Sequence, residues 1–194
     1  MPPLDIILAS ASPRRRELVS LLIRDFRIVP SEFDESLVPP ELAPEEHVLH
    51  SARMKARDVA GAFPQSLVIT ADTVVVVDDT ILGKPSDTAH AAAMLRMLGG
   101  RTHRVYTGVA VVCEGTERTD VECTQVTFRE LSDEIISRYV ASGEPMDKAG
   151  AYAIQGRGVV LIKSVSGCYP NVVGLPLYRL SVLLSEFGIE PLCE

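Results

Sequence analysis

The chain has 194 residues, of which 46% are hydrophobic, enough to bury a sizeable core in one domain spanning residues 1–194. Its 19 Lys and Arg against 26 Asp and Glu give a formal net charge of −7, which argues against a broad electrostatic footprint on nucleic acid. No apolar run approaches the roughly 20 residues that cross a bilayer, and Met1 to Ala9 lacks the basic flank and cleavage site of a signal peptide, so the expected setting is cytosolic, with no membrane partner.

Leu4 to Ala9 is a short apolar run broken only by Asp5, and it predicts a strand. Ser12 and Pro13 then supply a helix cap and a first helical residue, followed by Leu18, Leu21 and Leu22 at helical spacing. Phe26 to Val29 predicts a second strand. A Pro-bearing loop from Pro30 to Ala43 carries Glu32, Asp34 and Glu35 and leads into a helix from Pro44 to about Phe63. Leu67 to Val77 reads as a buried strand that turns at Asp78 to Thr80 into a hairpin with Ile81 and Leu82. A helix from Thr88 to Leu98 stops at Gly99 and Gly100, and two long strands, Thr102 to Glu114 and Arg118 to Phe128, flank a turn at Gly115 and are expected to pair.

Ser132 caps a helix ending near Gly143, and Pro145, Gly150, Gly156 and Gly158 punctuate an irregular stretch. A strand from Val159 to Val165 and a last helix from about Pro176, with Leu177, Leu180, Leu183 and Leu184 on one face, complete the pattern. Strands and helices intermix with both hairpins and crossovers, which predicts an α/β fold with a mixed, partly antiparallel twisted sheet flanked by helices.

Three arginines, Arg14 to Arg16, fall in the first turn of a helix, where the macrodipole disfavours cations by about 0.3–1 kcal/mol each. A bound polyphosphate would offset that, with the hydroxyls of Ser10 and Ser12, free backbone N–H groups and two guanidinium forks converging on its oxygens; a solvated surface cluster is the competing reading. Lys55 shares a helix face with Val48, Ala52 and Val59 rather than with Arg53 or Arg57, so it either lays its stem over apolar surface or points at an anion. Asp72 interrupts an apolar strand, where an ionised carboxylate is costly unless paired or bound to metal; that makes it a site candidate.

Lys84 stands between Gly83 and Pro85 on a constrained loop, while Glu144, Asp147 and Lys148 lie on another. Gln155 precedes Gly156, where an amide could read a base edge, although each of these is singly as consistent with a polar loop. His47, His50 and His90 read as exposed helix positions, and His103 near a strand start is undecided. The histidines lack the spacing of a zinc hydrolase, and Cys113, Cys123, Cys168 and Cys193 are too far apart for a zinc or redox motif, so reduced thiols are expected. Neither a Walker-type loop nor a GxGxxG motif opening a helix is present.

Taken in order, LASASPRR (8–15), FDE (33–35), ARMKA (52–56), ADTVV (71–75), GKP (83–85), HRVYTGV (103–109), GEPMDKAGAYAIQG (143–156) and NVVGLPL (171–177) resemble the Maf family. Members of that family are nucleotide pyrophosphatases related in fold to inosine triphosphate pyrophosphatases. The resemblance implies an inosine-triphosphatase-like fold with a cleft between two lobes. It implies that Asp72 accepts a proton from water, with Lys55 and Lys84 beside it as catalytic cations. It also implies that Ser10, Arg14, Arg15, Thr73, Gln155, Asp147 and Lys148 bind substrate, and that Glu35 and Asp72 hold a divalent cation, Mg²⁺ or Mn²⁺. Arg14, Thr73 and Gln155 resemble the branch that prefers dTTP and UTP, while Cys168 stands where a serine is expected after Gly167. A homodimer is a candidate assembly.

Two other readings compete: a pyrophosphatase for noncanonical purine triphosphates or 7-methyl-GTP, and a non-catalytic septum regulator acting by protein binding. A buried carboxylate facing cations has no use in a pure binding module, which favours catalysis.

Overall fold

Ile6, Ile7 and Leu8 are all buried, because the strand they form (β1, Ile6–Leu8) has a parallel neighbour on either side. The computed structural model describes residues 4–191. After β1 come α1 (Pro13–Ser20), β2 (Arg27–Ile28), α2 (Pro44–Ala62), β3 (Leu67–Val77), β4 (Thr80–Leu82), α3 (Thr88–Leu98), β5 (Thr102–Cys113) and β6 (Thr116–Phe128). The order ends with α4 (Asp133–Ala141), β7 (Ile162–Ser166), α5 (Tyr169–Val173) and α6 (Leu177–Ser185). The described strands make one mixed sheet in the order β2-β1-β3-β5-β6-β7, with β4 antiparallel to β3. The fold is therefore α/β, as the alternation of patterns predicts.

The chain divides into two compact units. One comprises the residues up to Asp72, Thr107–Glu122 and those from Gly174 onward; the other comprises Thr73–Tyr106 and Cys123–Val173. In the first unit, α2 lies on the sheet through small residues. Ala52 and Ala56 pack with Ala110 and Val112, and a Cβ on Gly108 would stand 2.6 Å from the Val48 carbonyl carbon, so only glycine lets the helix come this close. A second cluster joins Ile7, Ala9, Val59 and Val68. The second unit has its own core, built on Val75, Met94, Leu95, Leu98, Phe128, Ile136 and Leu161.

The turn from β3 to β4 places both Asp78 (φ 47°) and Asp79 (φ 60°) in the left-handed region, with Val77 facing Thr80. That is the two-residue hairpin turn whose twist matches its strands.

Several local expectations need correction. Arg157–Leu161 is a 3-10 turn, so the strand expected from Val159 begins only at Ile162. The Arg157 and Gly158 N–H groups donate to Glu144 rather than to a strand ladder, and Gly158 packs so closely that a Cβ there would lie 2.3 Å from the Ala153 carbonyl oxygen. The short α5 has no counterpart in the sequence reading. His47 and His50 are half-buried rather than exposed, and the His47 Nδ1 is buried without a hydrogen-bond partner. No disulfide joins Cys113, Cys123 and Cys168 to one another, and Cys193 lies outside the described residues. No described helix is long and apolar enough to cross a membrane.

Candidate active site

Strand periodicity sets Thr70 and Asp72 on the same face of β3, and helical periodicity sets Ala52 and Lys55 one turn apart on α2. The two periods meet in two consecutive contacts. Thr70 Oγ1 donates to the Ala52 carbonyl at 2.7 Å, and Lys55 Nζ donates to Asp72 Oδ1 at 2.6 Å. Lys55 also donates to Glu35 Oε1 at 2.6 Å, so one ammonium joins two carboxylates. The Lys55 and Asp72 side chains are each only 10% exposed, whereas Glu35 is 55% exposed. The pair is thus a desolvated ion pair with an open third member, a geometry in which removing one partner leaves a buried uncompensated charge.

Glu35 is held by its loop. Asp58, on α2, accepts from Ser31 Oγ at 2.7 Å and from the Glu32 N–H at 2.8 Å. Asp34 then caps a 3-10 turn (Glu35–Leu37) by accepting from the Ser36 N–H.

The arginines follow β1 in the chain, on α1. Ala9 N–H donates to the Ile69 carbonyl, after which the chain leaves the sheet through Ser10 and enters α1. Ser10 therefore sits just past the carboxyl end of β1, where open α/β sheets receive ligands, and Asp72 lies on adjacent β3 just beyond the stretch that pairs with β1. Ser10 is buried and its Oγ accepts from the Ser12 N–H at 3.2 Å; Ser12 caps α1. The first turn of α1 contains no acidic residue to balance Arg14, Arg15 and Arg16. Arg15 Nε donates to the Gly174 carbonyl at 2.8 Å. Burial pushes the Arg15 guanidinium below its usual value, the nearby carboxylates of Asp72 and Glu35 push it back up, and Arg14 lowers it again. Among the described residues, Arg14 Nε is buried with no hydrogen-bond partner. A buried unsatisfied donor beside a cation cluster suits an incoming anion.

The first unit thus brings together Arg14, Arg15, Glu35, Lys55 and Asp72, with Ser10 at the entry to α1. Thr73, Lys84, Asp147, Lys148 and Gln155 belong to the second unit. There the Gly150 N–H donates to the Gly83 carbonyl at 3.0 Å, which joins the Lys84 loop to the loop bearing Lys148, and Lys148 pairs with Asp147. Lys84 and Gln155 are exposed.

His103, Glu144 and Tyr139, to which the sequence assigns no role, each have a defined setting in the second unit. His103 is buried; its Nε2 lies 2.8 Å from the Tyr152 hydroxyl, and the His103, Phe128 and Tyr152 rings meet edge to face. Burial pulls His103 down to about 4 and pushes Tyr152 up. Glu144 accepts from the Arg157 and Gly158 N–H groups, each at 2.9 Å, and from the Tyr139 hydroxyl at 2.8 Å. Burial alone would raise the Glu144 carboxyl, but these bonds and Lys148 together hold it below the usual glutamate value. The only signal in the sequence was the pair of glycines at 156 and 158.

An α/β sheet with a buried lysine joined to two carboxylates, and with arginines clustered at the start of α1, marks out the class of protein. Residues 5–187 match the Maf-like protein family, and the chain belongs to that family. It is 52% identical to the dTTP/UTP pyrophosphatase of Pelotomaculum thermopropionicum over 190 residues, 97% of this chain and 99% of that one. A dTTP/UTP pyrophosphatase of Moorella thermoacetica is also 52% identical, covering 95% and 96%, and one of Thermococcus gammatolerans is 49% identical, covering 96% and 98%. Among solved structures, a HAM1 protein from Coxiella burnetii shares the fold at a TM-score of 0.54 and 17% identity, covering 94% of this chain and 99% of that one.

Proposed function

We propose that this protein hydrolyses dTTP and UTP to the monophosphate and pyrophosphate. The observation that carries the reading is the Glu35–Lys55–Asp72 cluster on a chain about half identical, nearly end to end, to dTTP/UTP pyrophosphatases. Water adds to the α-phosphorus, the bond from that phosphorus to the bridging oxygen breaks, and pyrophosphate leaves with the bridging oxygen. Asp72 takes the water's proton. Its tie to Lys55 keeps it aimed, while Arg14 and Arg15 neutralise the phosphates and Ser10 donates to them. Thr73 and Gln155 face the nucleoside, with Asp147 holding Lys148.

Glu35 and Asp72 would hold a divalent cation, Mg²⁺ or Mn²⁺. The donor chemistry fits, because Lys55 brings the Glu35 and Asp72 carboxylates to one point and a small hard cation commonly uses one or two carboxylates with water and phosphate oxygens. Such an ion supplies neutralisation of phosphate charge and polarisation of a phosphoryl oxygen.

The test is pyrophosphate release from dTTP, UTP, CTP, inosine triphosphate and 7-methyl-GTP with Mg²⁺ or Mn²⁺ and with chelator. Release from dTTP and UTP in preference to the others, lost in chelator, is expected; no release from any of them would sink the proposal.

A further inference from the structure

Gln155 is exposed on a segment, Ala153 to Gly158, that is irregular yet held at closely spaced points by two side chains far away in sequence. Tyr139 Oη accepts from the Ala153 N–H at 3.1 Å and donates to Glu144 Oε1 at 2.8 Å. Glu144 Oε1 accepts from the Gly158 N–H and Oε2 from the Arg157 N–H, each at 2.9 Å. The three bonded amides therefore bracket Gln155, one before it and two after. Just ahead of the segment, Tyr152 is fastened through its hydroxyl to His103.

The fit of the clamp is close enough to dictate residue type. A Cβ on Gly156 would lie 2.7 Å from Glu144 Oε2, at a φ of +100°, and one on Gly158 would lie 2.6 Å from the Tyr139 hydroxyl oxygen. Both glycines are needed for the carboxylate and the phenol to reach the backbone.

We propose that Glu144 and Tyr139 are specificity-determining positioning residues: they fix the backbone from which Gln155 presents its amide to the base. The inference rests on the reading of this chain as a dTTP and UTP pyrophosphatase. The chemistry explains why a fixed backbone matters. A thymine or uracil edge offers a carbonyl acceptor beside an N–H donor, and a cytosine edge offers the reverse pair. A carboxamide carries one donor and one acceptor group and can serve either edge by turning over. Discrimination therefore depends on where and at what angle the amide is held, and a slack loop would let Gln155 accommodate the wrong base.

The experiment compares kcat and KM for dTTP, UTP and CTP in the wild type, Glu144→Gln and Tyr139→Phe. Glu144→Gln replaces one carboxylate oxygen with an NH₂ that cannot accept from a backbone N–H. Tyr139→Phe removes the hydroxyl that joins Ala153 to Glu144. Both variants are expected to raise KM for dTTP and UTP and to lower the dTTP-over-CTP ratio of kcat/KM by about tenfold, the scale set by losing a charge-assisted hydrogen bond. A merely structural role would lower turnover on all three substrates by a common factor and leave the ratio intact, and that result overturns the proposal. Should Glu144→Gln fail to fold, Tyr139→Phe decides the matter alone. A wild type without preference for dTTP and UTP overturns the underlying reading and this one with it; a selective wild type whose ratio survives in the variants overturns this one only.

Discussion

The role proposed for Asp72 makes two demands that pull against each other. At 10% exposure its carboxylate needs a partner to be tolerated, yet a carboxylate too tightly paired is a poor base. Sharing Lys55 with Glu35 moderates that pairing, because the ammonium divides its hydrogen bonds between two acceptors. Asp72→Asn keeps the size of the side chain and removes the proposed base. The expected outcome is a fall in kcat of about 10²–10⁴-fold with nucleotide affinity largely kept, measured by pyrophosphate release and by calorimetric titration. Near-normal turnover would mean that another group takes the proton. The individual candidates at this scale were legible, since a carboxylate inside Leu67–Val77 and a lysine on an apolar helix face both break a pattern. Their pairing was not, because 17 residues separate Lys55 from Asp72 and 20 separate it from Glu35. His103 was illegible for the same reason: its partner Tyr152 stands 49 residues away.

The elements that matter most are α2 and the strands beneath it. Their approach depends on Ala52, Ala56, Ala110 and Gly108, residues small enough to let helix backbone near sheet backbone. The neighbours a Gly108 side chain would strike are main-chain atoms of Val48 and Leu49, which cannot swing aside as a side-chain tip can. Gly108→Ala should therefore destabilise the protein by about 1–3 kcal/mol, read from urea unfolding. It should also lower turnover, because lifting α2 withdraws Lys55 from Asp72. Retention of both stability and turnover would show that the helix is not held this closely. Element type and most boundaries followed from β-branched runs, caps and glycine stops. What failed was the start of the strand expected from Val159, where a 3-10 turn is held by Glu144 bonding the Arg157 and Gly158 amides. Periodicity carries no record of such bonds.

Over the whole molecule, acidification acts in two directions. The net charge of −7 shrinks as pH falls, which relaxes self-repulsion. Buried His103, held down to about 4, opposes this. Between its ordinary value near 6.5 and its folded value the unfolded chain binds the proton and the folded chain does not, so stability is full above about pH 6.5 and is lost progressively toward pH 4. At pH 5 the loss from this one group is on the order of 2 kcal/mol, more than a weak surface-charge effect. Urea unfolding at pH 7 and pH 5 should show the drop, and His103→Gln should flatten it; an equal drop in both proteins would assign it elsewhere. At this scale the α/β class was readable from the alternation of patterns, whereas the division into two units, which separates Asp72 from Thr73, leaves no mark in composition.

The contact between Glu144 and Gly156 also constrains descent. The carboxylate occupies the space a side chain at 156 would need, so neither position is free to drift alone: a bulkier residue at 156 strands the acid, and a lost acid leaves two backbone amides without an acceptor. Across relatives the two sites should be inherited as a pair, with the acid retained wherever the glycine is and replaced only in lineages that rebuild the loop.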